Sequence, residues 1–208
     1  CSISITYDST SSLTIVFMGD ILHGKNRQAE AFAAYDSCLH WKPDNVPGLN
    51  NYAYYISQTG KNLQKAELMS YKTIKAEPKN STYLDTYAWI LFMEERYAEA
   101  KTYIDQTLAY SDSTADNSTV IEHAGDIYAM NGLTDQAVAY WQQAQKGSQD
   151  PDALKVKIEC RKYMTESEII TCGQNYQSYQ AYQEEPWHTS RLPLTSNAVI
   201  NLLLYHTR

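Results

Sequence analysis

The sequence predicts an all-α fold, an α-α superhelix of stacked helix–turn–helix units, and three observations predict it. Small residues recur in two columns, Gly19, Ala53, Ala88, Gly125 and Ala31, Ala66, Ala100, Ala137, at steps of 34 to 37 residues. Between them lie apolar runs of helical period: Leu84, Tyr87, Ala88, Leu91 and Phe92 fall at i, i+3, i+4, i+7 and i+8, one face of a helix. Pro43 and Pro78, with Asp112 and Gln149 in the matching slots, close the units. Self-similarity at this period marks repeats that bury their apolar faces on one another. A helix of about 12 residues is marginal alone in water, so stability has to come from stacking, for which about three units suffice. Four are visible.

The first unit, about 12–45, carries Ile15, Gly19, Leu22, Ala31, Tyr35, Cys38 and Pro43. The second, 46–80, carries Leu49, Ala53, Ile56, Ala66, Ser70, Thr73 and Pro78. It gains one residue near Gly60, in its inter-helix turn, where an insertion costs least. Ser70 is small for a slot that holds a large residue elsewhere. The third unit, 81–117, has Leu84, Ala88, Leu91, Ala100, Ile104 and Thr107, and ends in the longer loop 111–117. The fourth, 118–150, has Ile121, Gly125, Tyr128, Ala137, Trp141 and Ala144. Asp150 and Pro151 start a capping helix, 151–164, because proline is tolerated in a first helical turn. Leu154, Ile158 and Tyr163 give it an apolar edge against Lys155 and Lys162, and Arg161 and Lys162 near its end suit the helix dipole. Residues 165–208 read as an irregular tail with one short helix at 197–204, and residues 1–11 as a remnant or loop.

Small residues at positions 8, 20 and 27, large ones at 4, 11 and 24, and proline at 32 of a 34-residue unit make residues 12–149 resemble the tetratricopeptide repeat (TPR) family, bacterial type. The resemblance implies a non-catalytic scaffold that binds a protein or peptide in a concave groove lined by the first helix of each unit. Positions 2, 5, 6, 9, 12 and 13 of that helix tend to face the ligand. Carried over, they select Asp20 and His23; Asn50, Asn51, Tyr54 and Gln58; Asp85, Trp89, Phe92 and Met93; and Glu122, His123, Asp126 and Met130. The family's chaperone adaptors clamp a client's terminal carboxylate with lysine, arginine and asparagine from these slots. Only Asn51 matches, so such a clamp is not expected. Four carboxylates (Asp20, Asp85, Glu122, Asp126) and an aromatic–methionine patch (Trp89, Phe92, Met93, Met130) suit a segment with basic and apolar side chains. The competing expectations are that Trp89 and Phe92 pack on the neighbouring hairpin and that the acids are solvated faces. Asn51 either bonds a ligand backbone or supports a loop.

A net charge of −7, from 24 acidic and 17 basic side chains, argues against a nucleic-acid surface. No apolar run approaches the length that spans a bilayer. Cys1, Cys38, Cys160 and Cys172 lack zinc-site spacing, and Cys38 fills a small core slot. Glu122, His123 and Asp126 sit at i, i+1, i+4, which turns the histidine off the face the acids share. There is no Gly-rich phosphate loop, Ser-His-Asp arrangement or HExxH. The expectation is therefore no enzyme, no metal and no small-molecule cofactor. Cys1 is read as the cut edge of a longer polypeptide in preference to the lipidated terminus of an envelope lipoprotein; only in the second case does a membrane enter. The compartment stays open between cytoplasm and bacterial periplasm or envelope. A second functional reading is a structural spacer or oligomerisation segment of a larger, envelope-anchored TPR protein.

Overall fold

The computed structural model describes residues 9–111, 117–148 and 150–172, helices joined by turns and short irregular stretches. The chain divides into two compact units, Cys1–Asp112 and Ser113–Arg208. Unit 1 holds three hairpins: α1 (Ser9–Gly24) with α2 (Gln28–Trp41), α3 (Val46–Gln58) with α4 (Leu63–Ala76), and α5 (Ser81–Met93) with α6 (Tyr97–Tyr110). Unit 2 holds the hairpin α7 (Ser118–Met130) and α8 (Thr134–Ala144), followed by α9 (Pro151–Cys160).

Within unit 1, α1 packs on α3 and α3 on α5, so the first helices form one continuous layer. The second helices lie outside it, α2 wedged against α3 and α4 against α5. The repeated columns explain why. Ala53, Ala88, Ala31, Ala66, Ala100 and Ala137 are all completely buried, as are Tyr35, Ser70, Ile104 and Trp141 in the large-residue slot. Bulk is matched across each hairpin. Where the large slot holds Ser70 or Ile104 the facing column has alanine; where it holds Tyr35 or Trp141 the column has glycine. A Cβ on Gly19 would lie 2.7 Å from Tyr35 Cζ, and one on Gly125 only 2.4 Å from Trp141 Cδ1. Both approaches are closer than a close-packed interior tolerates. Cys38 is buried with its Sγ 3.6 Å from the Ser12 carbonyl oxygen, which is the packing role its slot predicts.

Three of the hairpin turns are equally short, 25–27, 94–96 and 131–133, and the fourth, 59–62, is one residue longer. The insertion expected near Gly60 is there, and both Gly60 and Asn62 take left-handed φ (64° and 55°) to accommodate it. Asn45 and Asn80 start α3 and α5 by accepting backbone N–H groups, from Gly48 at 2.8 Å and from Thr82 at 3.1 Å, the usual N-cap arrangement.

The C-terminal expectations need correction. Asp150 does cap α9, accepting from the Ala153 N–H at 3.0 Å, but the helix stops at Cys160, not 164, because Arg161 takes a left-handed φ of 53°. Met164, beyond that bend, is buried. Residues 166–172 are helical, where an irregular stretch was expected from 165. Their start is fixed by a reciprocal box: Glu168 Oε2 accepts from the Thr165 N–H at 2.7 Å, and the Glu168 N–H points back to Thr165 Oγ1 at 3.4 Å. Cys160 and Cys172 are free thiols, and burial followed by the Cys172 neighbour pushes the Cys160 thiol up to about 11, which keeps it unreactive at neutral pH. The expected helix at 197–204 and residues 1–8 lie outside the described residues. No described helix is long and apolar enough to cross a membrane.

Candidate functional site

In unit 1 the first-helix layer is organised around Asp20 on α1. Its Oδ1 accepts from the Tyr35 hydroxyl in a short bond, from Asn51 Nδ2 at 3.1 Å and from the Tyr55 hydroxyl at 3.3 Å; Oδ2 accepts from Asn51 Nδ2 at 3.2 Å. Asn50 Nδ2 donates to Asn51 Oδ1 at 3.2 Å. The His23 ring stacks on Tyr55, with centroids 3.7 Å apart. Asn51 is thus committed to the protein's own aspartate, and Asn50 is buried. Asn50 Oδ1 has no hydrogen-bond partner among the described residues, but its burial keeps it from a ligand backbone.

Burial lowers the His23 pKa and Asp20 only partly restores it. Burial, then the Asp20 carboxylate, raises both phenols, Tyr55 to about 12 and Tyr35 further. Free tyrosine ionises near pH ~10, so above that value the folded chain holds protons that the unfolded chain has released. The contribution of these two phenols to stability is therefore constant below about pH 10 and falls as pH climbs from there through about 12. Urea midpoints measured across that range should drop, and Tyr35→Phe should flatten the drop. An identical slope in the variant would show that this hydroxyl does not contribute.

The other nominated residues of unit 1 separate by burial. Asp85 and Phe92 are in the core, so neither lines an open surface. Trp89 is half-buried and stacks on Phe92 (4.9 Å, 14° between planes), and Phe92 in turn meets the ring of Tyr97 at 5.5 Å. These ring contacts lie within the α5–α6 hairpin itself; they bury Phe92 and cover Trp89 in part. Tyr54 and Met93 remain half-exposed. Two residues that the carry-over omitted are more exposed than any of these: Leu13 and Phe17, the latter at 63 %. They occupy positions 2 and 6 of the first unit, so the slot rule itself could have found them.

Unit 2 repeats the aspartate device with a different donor. Asp126, buried on α7, accepts from Trp141 Nε1 at 2.9 Å and from Lys157 Nζ at 2.8 and 2.9 Å; Lys157 also reaches Glu122 Oε1 at 3.1 Å. The spacing is that of unit 1: the aromatic donor lies 15 residues after the aspartate and the second donor 31 residues after it. Lysine on α9 replaces asparagine on α3. Burial pushes the Asp126 carboxyl up, and the Lys157 ammonium on both its oxygens opposes that rise without cancelling it. Burial alone would lower Lys157, but Asp126 and Glu122 outweigh it and hold its pKa above the ordinary lysine value. The expected acidic wall is thereby corrected. Asp20 is bonded internally, Asp85 is buried, and Glu122 and Asp126 share the ammonium of one lysine absent from the slot list. The signal for it was the Gly-Asp pair at 19–20 and 125–126, each followed at equal distance by an aromatic. His123 is buried and Met130 exposed.

No protein-family model and no curated protein matches the sequence. Solved structures do. The crystal structure of PilW, a widely conserved type IV pilus biogenesis factor, aligns over 95% of this chain and all of its own, at 16% identity and a TM-score of 0.63. Pseudomonas aeruginosa pilF aligns over 87% of this chain and 78% of its own (14% identity, TM-score 0.60). YrrB, described as a TPR protein with an unusual peptide-binding site, aligns over 94% and 91% (12% identity, TM-score 0.54). The chain has the tetratricopeptide-repeat fold. With this fold, the first-helix layer of unit 1 presents Leu13, Phe17, Tyr54, Trp89 and Met93 to solvent in whole or in part, beside a carboxylate whose hydrogen-bond donors among the described residues are neutral.

Proposed function

We propose that the protein is a non-catalytic interaction scaffold, and that the first-helix layer of unit 1 holds an apolar segment of another protein. One observation carries this: exposed Phe17, with half-exposed Tyr54, Trp89 and Met93, lies on helices α1, α3 and α5 that form one layer. Aromatic side chains supply large contact area at low entropy cost and commonly dominate such interfaces. Asp20 lends that layer a negative charge without a cation from the described residues, which favours a partner with a basic side chain flanking its apolar ones. The peptide site of YrrB is consistent with this use of the fold. A photoreactive residue at Tyr54, compared with one at exposed Leu68 on α4, tests the reading in native extract. A discrete adduct from position 54 alone is the expected result. Equal adducts from both positions, or none from 54, would reject the layer as the binding surface.

A further inference from the structure

The chain turns back on itself after α9, and the return brings two thiols together. Arg161 takes a left-handed φ of 53°, and the N–H groups of Arg161 and Lys162 donate to the Ile158 and Lys157 carbonyls, both at 3.3 Å. These bonds close the helix end and reverse the chain. The Lys157 ammonium then lies 5.5 Å from the centre of the Tyr163 ring, and Met164 is buried. Thr165 and Glu168 start the helix 166–172. Its Cys172 side chain meets that of Cys160, the last residue of α9, in a thiol–thiol hydrogen bond. Both cysteines are free and half-buried. Sulfurs in direct contact are already near the ~2.05 Å separation of a disulfide. Cys38, buried in unit 1, has its Sγ against a backbone carbonyl instead.

We infer that Cys160 and Cys172 form a site of reversible oxidation, which a small-molecule disulfide such as oxidised glutathione closes into a bond clasping residues 161–172 to α9. The site is independent of the first-helix layer of unit 1. Cys172 exchanges first, expelling one glutathione thiol and leaving a mixed disulfide. Cys160 then attacks the Cys172 sulfur and expels the second. The protein gives up two protons and two electrons, one S–S bond forms in it, and the oxidant's S–S bond becomes two thiols. The order follows from burial, which with the Cys172 neighbour raises the Cys160 thiol to about 11. So scarce a thiolate reacts with a sulfur held beside it in preference to one in solution. The consequence falls on α9, whose Lys157 is the counter-ion of Asp126. Closing the short loop between the cysteines restricts the unfolded chain and so secures the helix that completes unit 2.

The test incubates the full chain, carrying Cys1→Ser so that the first cysteine cannot compete, with oxidised and reduced glutathione at set ratios. Trypsin cuts after Arg161 and Lys162, between the two cysteines, so peptide mapping without reductant shows a linked pair directly. The expected product is a single 160–172 linkage. Its equilibrium constant should be at least ~10-fold larger in buffer than in urea, because the fold raises the effective concentration of one thiol at the other. Hydrogen exchange of the 162–172 amides should slow in the oxidised chain, and the same treatment of a Cys172→Ser chain should leave those amides unchanged. Glutathione retained on Cys172 without a linked pair, or no linkage at all, would overturn the inference. Closure no more favourable in buffer than in urea would do so too, since the fold would then not hold the thiols together. Identical exchange in the oxidised and reduced chains would remove the clasp.

Discussion

Lys157→Met is expected to destabilise unit 2 by ~3–5 kcal/mol, because it leaves the buried Asp126 carboxylate without its counter-ion. The lysine's two bonds to Asp126 and one to Glu122 are made from α9, so the loss falls on the docking of α9 as well as on the α7–α8 hairpin. Hydrogen exchange of the α7–α9 amides in urea would report it locally. Adding Asp126→Asn to the same chain should recover most of the loss, since a neutral amide oxygen can still accept from Trp141 Nε1 and no bare charge remains. A single variant within about 1 kcal/mol of wild type would mean that Asp126 takes up a proton at little cost, and the ion pair would lose its structural importance. The raised Lys157 pKa makes the contribution complete at neutral pH; it is present below the ordinary lysine range and lost only as pH rises through the still higher folded value. Burial should also make it insensitive to salt.

Gly125→Ala is expected to be nearly as damaging, ~3 kcal/mol or more, against ~1–3 for an ordinary added methyl. The new Cβ would meet the Trp141 ring at 2.4 Å, at Cδ1 and Nε1. The indole cannot withdraw without breaking its 2.9 Å bond to Asp126. Strain and an orphaned buried donor therefore arrive together. The hairpin α5–α6 suggests the remedy, since it combines Ala88 with Ile104 in the same two columns. Gly125→Ala should harm a Trp141→Ile chain much less than the wild type, and a double-mutant cycle would measure the coupling. Strict additivity would show that the two side chains do not compete for one space.

The helix pairs, their turns and their buried columns were all legible in the residues, for a physical reason. Each depends on contacts within about one repeat, where the size of one residue constrains the size of the next. The extra residue of the 59–62 turn could be placed for the same reason. What escaped was set by partners further off. Whether Asp20 or Asp126 faces a ligand or the interior depends on a donor 31 residues away, and for Asp126 that donor sits on a helix outside the repeat columns. Asp85 and Phe92 were misplaced because the slot rule gives the direction of a side chain from the helix axis and says nothing of how deeply the neighbouring helices bury it. The end of α9 at Cys160 turned on one left-handed residue, Arg161, whose type gives no warning.

The lysine that closes the second aspartate site also sets a minimum length for the chain. A shortened version ending after α8 would strand the Asp126 carboxyl in a dry interior, and any trimming from the far end that reaches residue 157 would do the same. Domain dissection, fusion junctions and protease-resistant boundaries all have to respect that limit.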